Sequence, residues 1–230
     1  MTWQRLILGF LVLLTSSCSK ALLQSDVMGL WLDQSKDRLL ELTPHKIAVE
    51  VFKNPYQVLA YKFELEDGEL ELNNISKRYF AKKGLVSSRP SLENPVPVNA
   101  WNLEVKNHED LLVHRDSRIW NLKKSSSHRE GLDNLTGLWG QFRDDGRKDY
   151  FEFTPWSTLV VLRCLTEAEL EQTACEWWRY EELGEHKLRL KGVTQDEGEQ
   201  EKTVVYSLDG NVLTMKLNGK TYTLTRSEEL

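Results

Sequence analysis

The tripeptide Gly-Leu-Trp occurs twice, as Gly29-Leu30-Trp31 and as Gly137-Leu138-Trp139, and each copy opens a run of short alternating segments. The first run continues through LELTP (Leu40 to Pro44) and KFELEDGELEL (Lys62 to Leu72) to a closing IWNLKK (Ile119 to Lys124). The second continues through FEFTP (Phe151 to Pro155) and RYEELGEHKLRL (Arg179 to Leu190) to a closing TYTLTR (Thr221 to Arg226). Four blocks in one order mark an internal duplication, so the chain is constrained to fold as two copies of one unit.

Period two dominates both copies, and turn chemistry marks the strand ends in the second. In KTVVYSLDGNVLTMKLNGKTYTLTR the dipeptides Asp209-Gly210 and Asn218-Gly219 separate alternating runs, as tight hairpin turns with positive φ require. Strands are expected near 136–144, 149–156, 158–165, 175–183, 186–193, 201–208, 211–217 and 220–226. A meander of that kind removes its edges by closing on itself. The expected fold is therefore all-β: two tandem antiparallel up-and-down meanders forming small barrels, at 28–124 and 135–227, joined by a polar linker at 125–134. The first copy carries an insertion, Gly84 to Asn99, whose Pro90, Pro95 and Pro97 predict a loop or edge excursion, because proline cannot donate to a ladder.

A Gly-x-Trp at the start of the first strand of such a meander resembles the opening motif of lipocalins and of smaller bacterial lipocalin-like domains. The resemblance implies that the Trp closes the barrel floor with a basic residue of the last strand across its ring. The matching positions are Trp31 with Lys124 and Trp139 with Arg226, and such a contact contributes about 0.5 to 2 kcal/mol. About ninety residues spread over eight strands leave little interior once side chains fill it, which speaks against a lipid-sized cavity.

The chain begins with MTWQR and the apolar run Leu6 to Leu14, too short to span a bilayer and of the length of a secretory signal. Small residues Thr15, Ser16 and Ser17 then precede Cys18, which resembles the lipobox of bacterial lipoprotein precursors. The resemblance implies a signal peptide at 1–17, lipid attachment (a diacylglyceryl thioether and amino-terminal acylation) on Cys18, and a tether at 18–27. Two or three acyl chains anchor stably where one is marginal. The expected location is the bacterial cell envelope, lipid-anchored and facing the periplasm. Ser19 at the next position favours the outer membrane by the same resemblance.

Cys164 and Cys175 fall at the end of one expected strand and the start of the next. In an oxidising compartment a disulfide between them is the favoured reading, with two partly buried thiols as the alternative. Strand alternation puts Trp177 and Trp178 on opposite faces: if Trp177 faces the core, Trp178 faces outward, toward a ligand, a partner or the other domain.

Reaction chemistry is not legible. The five histidines show no ligand spacing, and the chain has no P-loop, no Gly-x-Ser-x-Gly and no dinucleotide fingerprint, so no catalytic residue, metal or cofactor is assigned. A net charge of −5 without a basic stripe disfavours nucleic acid. The expected function is a non-enzymatic envelope lipoprotein that binds a protein partner or scaffolds an assembly; the alternative is a lipocalin-like carrier of a small apolar ligand. An apolar cavity of roughly 300 Å³ or more inside a barrel would favour the carrier.

Overall fold

The computed structural model describes residues 22–53, 56–75, 95–125, 132–167, 170–194, 198–217 and 219–230. The leader, with Cys18, lies outside the described residues, as do 76–94, which include 84–94 of the insertion, and 126–131 of the linker. Among the described residues no helix is long and apolar enough to cross a membrane.

After one helical turn at Gln24–Val27, eight strands form the first barrel: β1 (Gly29–Leu32), β2 (Arg38–Leu42), β3 (Ile47–Lys53), β4 (Tyr56–Glu66), β5 (Glu69–Asn74), β6 (Val96–Lys106), β7 (Asp110–Arg115) and β8 (Arg118–Lys124). The second barrel comprises β9 (Gly137–Phe142), β10 (Lys148–Phe153), β11 (Thr158–Glu167), β12 (Leu170–Gly184), β13 (Lys187–Thr194), β14 (Gly198–Asp209), β15 (Val212–Leu217) and β16 (Lys220–Ser227). Each is a closed antiparallel meander, the first strand pairing with the last.

The two closures repeat each other residue for residue. Trp31 lies opposite Lys124 and Trp139 opposite Arg226. Both indoles are fully buried and donate across four residues, Trp31 Nε1 to the Val27 carbonyl and Trp139 Nε1 to that of Leu135, each at 2.7 Å. Val27 and Leu135, themselves buried, thereby stopper the floors. Lys124 Nζ sits 5.2 Å from the Trp31 ring centroid and the Arg226 guanidinium 4.4 Å from that of Trp139. This explains the glycine of the triplet: a Cβ on Gly137 would meet Arg226 Nη1 at 2.6 Å, and φ there is +132°.

Hairpin geometry differs in detail from the turn dipeptides. Asp209 pairs with Val212, so the two residues of that loop are Gly210 and Asn211 rather than Asp209 and Gly210. The insertion ends earlier than its prolines suggest: Pro97 stands inside β6 opposite Asn73, beside a register shift between Leu70 and Leu72. The irregular ladder there accommodates a residue that cannot donate.

Inward-facing side chains fill both barrels. Trp31, Tyr61, Phe63, Trp101 and surrounding leucines occupy the first; Trp139, Phe151, Phe153, Trp178 and Tyr180 occupy the second. A third cluster lies between the barrels and takes residues from each, with Val49, Val51, Val58 and Ala60 meeting Tyr150, Val160, Leu162 and Trp177. The outer faces of β2, β3 and β4 are thus buried against β9 to β13, and the two barrels form one packed body.

Candidate functional site

The seam between the barrels is quasi-symmetric, because the same repeat position supplies its buried carboxylate from both sides. Glu41 in LELTP and Glu152 in FEFTP occupy equivalent places, as do His45 and Trp156. Glu41 is fully buried and accepts hydrogen bonds from Trp156 Nε1, Thr158 Oγ1 and Trp177 Nε1, all on the second barrel. Glu152 accepts in return from His45, through its backbone N–H at 3.2 Å and its ring Nδ1 at 2.8 Å. Burial, the dominant influence, raises the Glu41 carboxyl from its ordinary 4.5 to about 7; its three donors pull it down and Glu152 nudges it up.

A cleft of about 1080 Å³ opens beside this seam. Its floor is apolar, from Leu39, Val51, Trp177 and Val193, and its walls carry seven lysines and arginines against four carboxylates. Lys53 and Glu199 form an ion pair across it at 3.1 Å. A smaller cavity of about 240 Å³ lies at Trp156, Arg179 and Tyr180. Both are outside the barrels, whose interiors are occupied by side chains.

The upper end of the first barrel holds a third feature. Glu50, fully buried, pairs with Arg38 and with Arg115 at 3.3 Å, and accepts from Tyr61 Oη at 2.9 Å. The Arg38 guanidinium lies 3.3 Å from the Trp120 ring centroid, and that of Arg115 lies 5.0 Å from Trp101.

Trp31, Lys124, Trp139 and Arg226 meet in pairs at the barrel floors. The tryptophan pair of β12 is split between two buried surfaces: Trp178 fills the second barrel and Trp177 faces the first, so neither points to open solvent. The expected disulfide is not formed. Cys175 is a buried free thiol opposite Leu162, while Cys164 is opposite Thr173. That diagonal offset corresponds to about 7–8 Å between Cα atoms, beyond ordinary disulfide reach. Burial also pushes the Cys175 thiol up, away from thiolate chemistry. Among the described residues no three His, Cys, Asp or Glu side chains converge as a metal site.

No protein-family model, curated protein or solved structure matches the chain.

Proposed function

We propose that this chain is a non-enzymatic, lipid-anchored protein of the bacterial cell envelope, held at the membrane through Cys18. In this reading it uses its fused barrels as a rigid module that binds a protein partner. The observation that supports this best is where the space lies. Among the described residues large side chains pack inside both barrels, and a large concavity lies between them. A carrier of an apolar ligand needs an enclosed apolar chamber; a groove walled by charged side chains over a narrow apolar floor suits an extended segment of another protein.

Charge indicates the partner's character. Cations outnumber carboxylates seven to four in the cleft, although the chain as a whole carries −5. An acidic segment is steered there and a basic one repelled.

The test is recovery of partners from detergent-solubilised envelope with three forms: wild type, Cys18→Ala, and a cleft variant carrying Lys53→Glu and Arg179→Glu. The expected result is an acidic partner captured by wild type, lost from the cleft variant, and no membrane association for Cys18→Ala. Equal capture by wild type and the cleft variant would contradict the assignment of the cleft.

A further inference from the structure

The two barrels solve one packing problem with different residues, and the difference is confined to one end. Pair by pair from the Trp31–Lys124 and Trp139–Arg226 closures, Glu50 corresponds to Val161, Trp101 to Val204 and Arg115 to Leu217. At these three places the second barrel is apolar and the first is polar. Arg38 corresponds to Asp149, which reverses the sign. The second barrel has Val161 and Leu217 at two of these places and sets its own carboxylate, Glu176, on the strand beside Val161, so among the described residues a fully buried carboxylate flanked by two guanidiniums is particular to the first barrel. Burying the Glu50 carboxylate with two part-buried guanidiniums on it is weak support for stability, so the cluster calls for another explanation.

The cluster is unbalanced as well. Among the described residues two guanidiniums share the one Glu50 carboxylate at the upper end of the barrel. The second barrel carries one balanced pair at its corresponding end, Arg163 with Glu176. Rim aspartates stand near this end: Asp33 accepts from Ser35 Oγ and the Arg38 N–H, Asp116 from Asn99 Nδ2, and Asp37 lines the cleft beside Arg38.

Buried polar atoms without a partner occur in the first barrel near this cluster, among them the acceptor Asn74 Oδ1, and in the second at Glu152 Oε2 and Arg163 Nε. Arg38 Nε, Trp101 Nε1 and Asn74 Nδ2 are buried without a partner among the described residues, and Trp101 and Asn74 are fully buried. Asn74 lies opposite Tyr61, whose hydroxyl bonds Glu50 and whose ring packs 5.8 Å from Trp101. A buried donor left unmatched costs about 1–3 kcal/mol, and an acceptor supplied by a ligand recovers it. Arg115 is about a quarter exposed, and Arg38 also borders the inter-barrel cleft.

We infer that the upper end of the first barrel is a binding site for a small oxyanion, a carboxylate or phosphate group, held by Arg115 and Arg38 with Trp101 and Asn74 as neutral donors. Guanidinium forks match such groups in two-point geometry, and the flanking indoles hold the arginines in place. The filled barrel below admits only the anionic group, so any longer ligand extends outward, past Arg38, into the cleft. Binding of the small anion itself does not rest on the partner proposed for the cleft, although the two share Arg38.

Calorimetric titration of the whole chain with inorganic phosphate, acetate and decanoate tests the site. Wild type is expected to bind at least one of them with a dissociation constant of about 1 mM or tighter. Arg115→Leu installs the residue that the second barrel carries at that place; it is expected to keep the fold and weaken binding at least about tenfold. Trp101→Phe keeps every charge, removes one unmatched donor and is expected to weaken binding severalfold, so the inference stays testable if Arg115→Leu does not fold. Decanoate binding more tightly than acetate identifies an amphiphile reaching into the cleft; equal or tighter phosphate binding identifies a free small anion. No binding by wild type, or binding unchanged in both variants, would overturn the inference.

Discussion

Glu41 on the first barrel accepts a hydrogen bond from the indole of Trp177 on the second, and neither side chain has appreciable contact with solvent. With Trp156 and Thr158 on the same carboxyl, this contact makes the seam polar at its centre and apolar around it. Removing the acceptor leaves the buried Trp177 indole and the partly buried Trp156 indole unmatched and takes one partner from Thr158. Glu41→Leu is expected to destabilise the chain by about 3 kcal/mol or more in urea unfolding, whereas Glu152→Leu, whose partner His45 is about a quarter exposed, costs less. Equal losses at the two positions would mean that the seam does not depend on Glu41.

Acidity should strengthen the same seam. The folded-state pKa of Glu41, about 7, lies above its ordinary 4.5, so the folded chain holds this proton more tightly than the unfolded one. The resulting stabilisation is fully present below pH 4.5 and is lost as pH rises through about 7. Neutral Glu41 also finds a use for its proton, since Thr158 Oγ1 can accept it and donate onward to Thr154 Oγ1 at 2.6 Å. Wild type minus Glu41→Gln, compared by urea midpoint at pH 5 and pH 8, is expected to favour wild type more at pH 5. A difference independent of pH, or of opposite sign, refutes the coupling.

The two triplet glycines should not tolerate alanine equally. At Gly137 the new Cβ meets the guanidinium of Arg226, which is itself held by the Thr136 and Asn134 carbonyls at 2.8 and 2.9 Å. At Gly29 its nearest neighbour is the flexible Lys124 chain, at 3.1 Å from Cε, with Trp31 Nε1 at 3.8 Å. Both positions have positive φ, so each substitution costs on the order of 1–3 kcal/mol. Thermal melting is expected to rank Gly137→Ala as the more damaging; the reverse order would mean that the cation does not cross the glycine.

Cys175 should resist alkylation in the folded chain. It is buried in the seam and its thiol is pushed up by burial, so iodoacetamide at pH 8 is expected to modify it only after denaturation. Peptide mass mapping reads this directly. Rapid labelling of the native chain would contradict the packed seam.

Much of the architecture was legible because it is local: alternation, Gly-x-Trp and two turn dipeptides place the strands of the second copy within a few residues of where they lie. The seam was not, since alternation assigns Glu41 to an outer face without saying what covers that face. A signal was present. Ile47-Ala48-Val49-Glu50-Val51 and Thr158-Leu159-Val160-Val161-Leu162 are nearly continuous apolar runs, and such runs mark strands buried on both faces rather than one. Alternation likewise puts Trp177 and Trp178 on opposite faces without saying which one fills the barrel and which one meets the other domain. Glu50, Arg38 and Arg115 are far apart in sequence, and only barrel closure brings them together.

Photocrosslinking in intact envelopes tests the central claim, that the fused barrels bind through the cleft between them. A photoreactive residue in place of Gln34, exposed on the cleft wall, is compared with one at Thr223, exposed on the outer face of β16 away from it. The account predicts a discrete protein adduct from position 34 and none from 223. Adducts from 223 alone, or the same adduct from both, would contradict it.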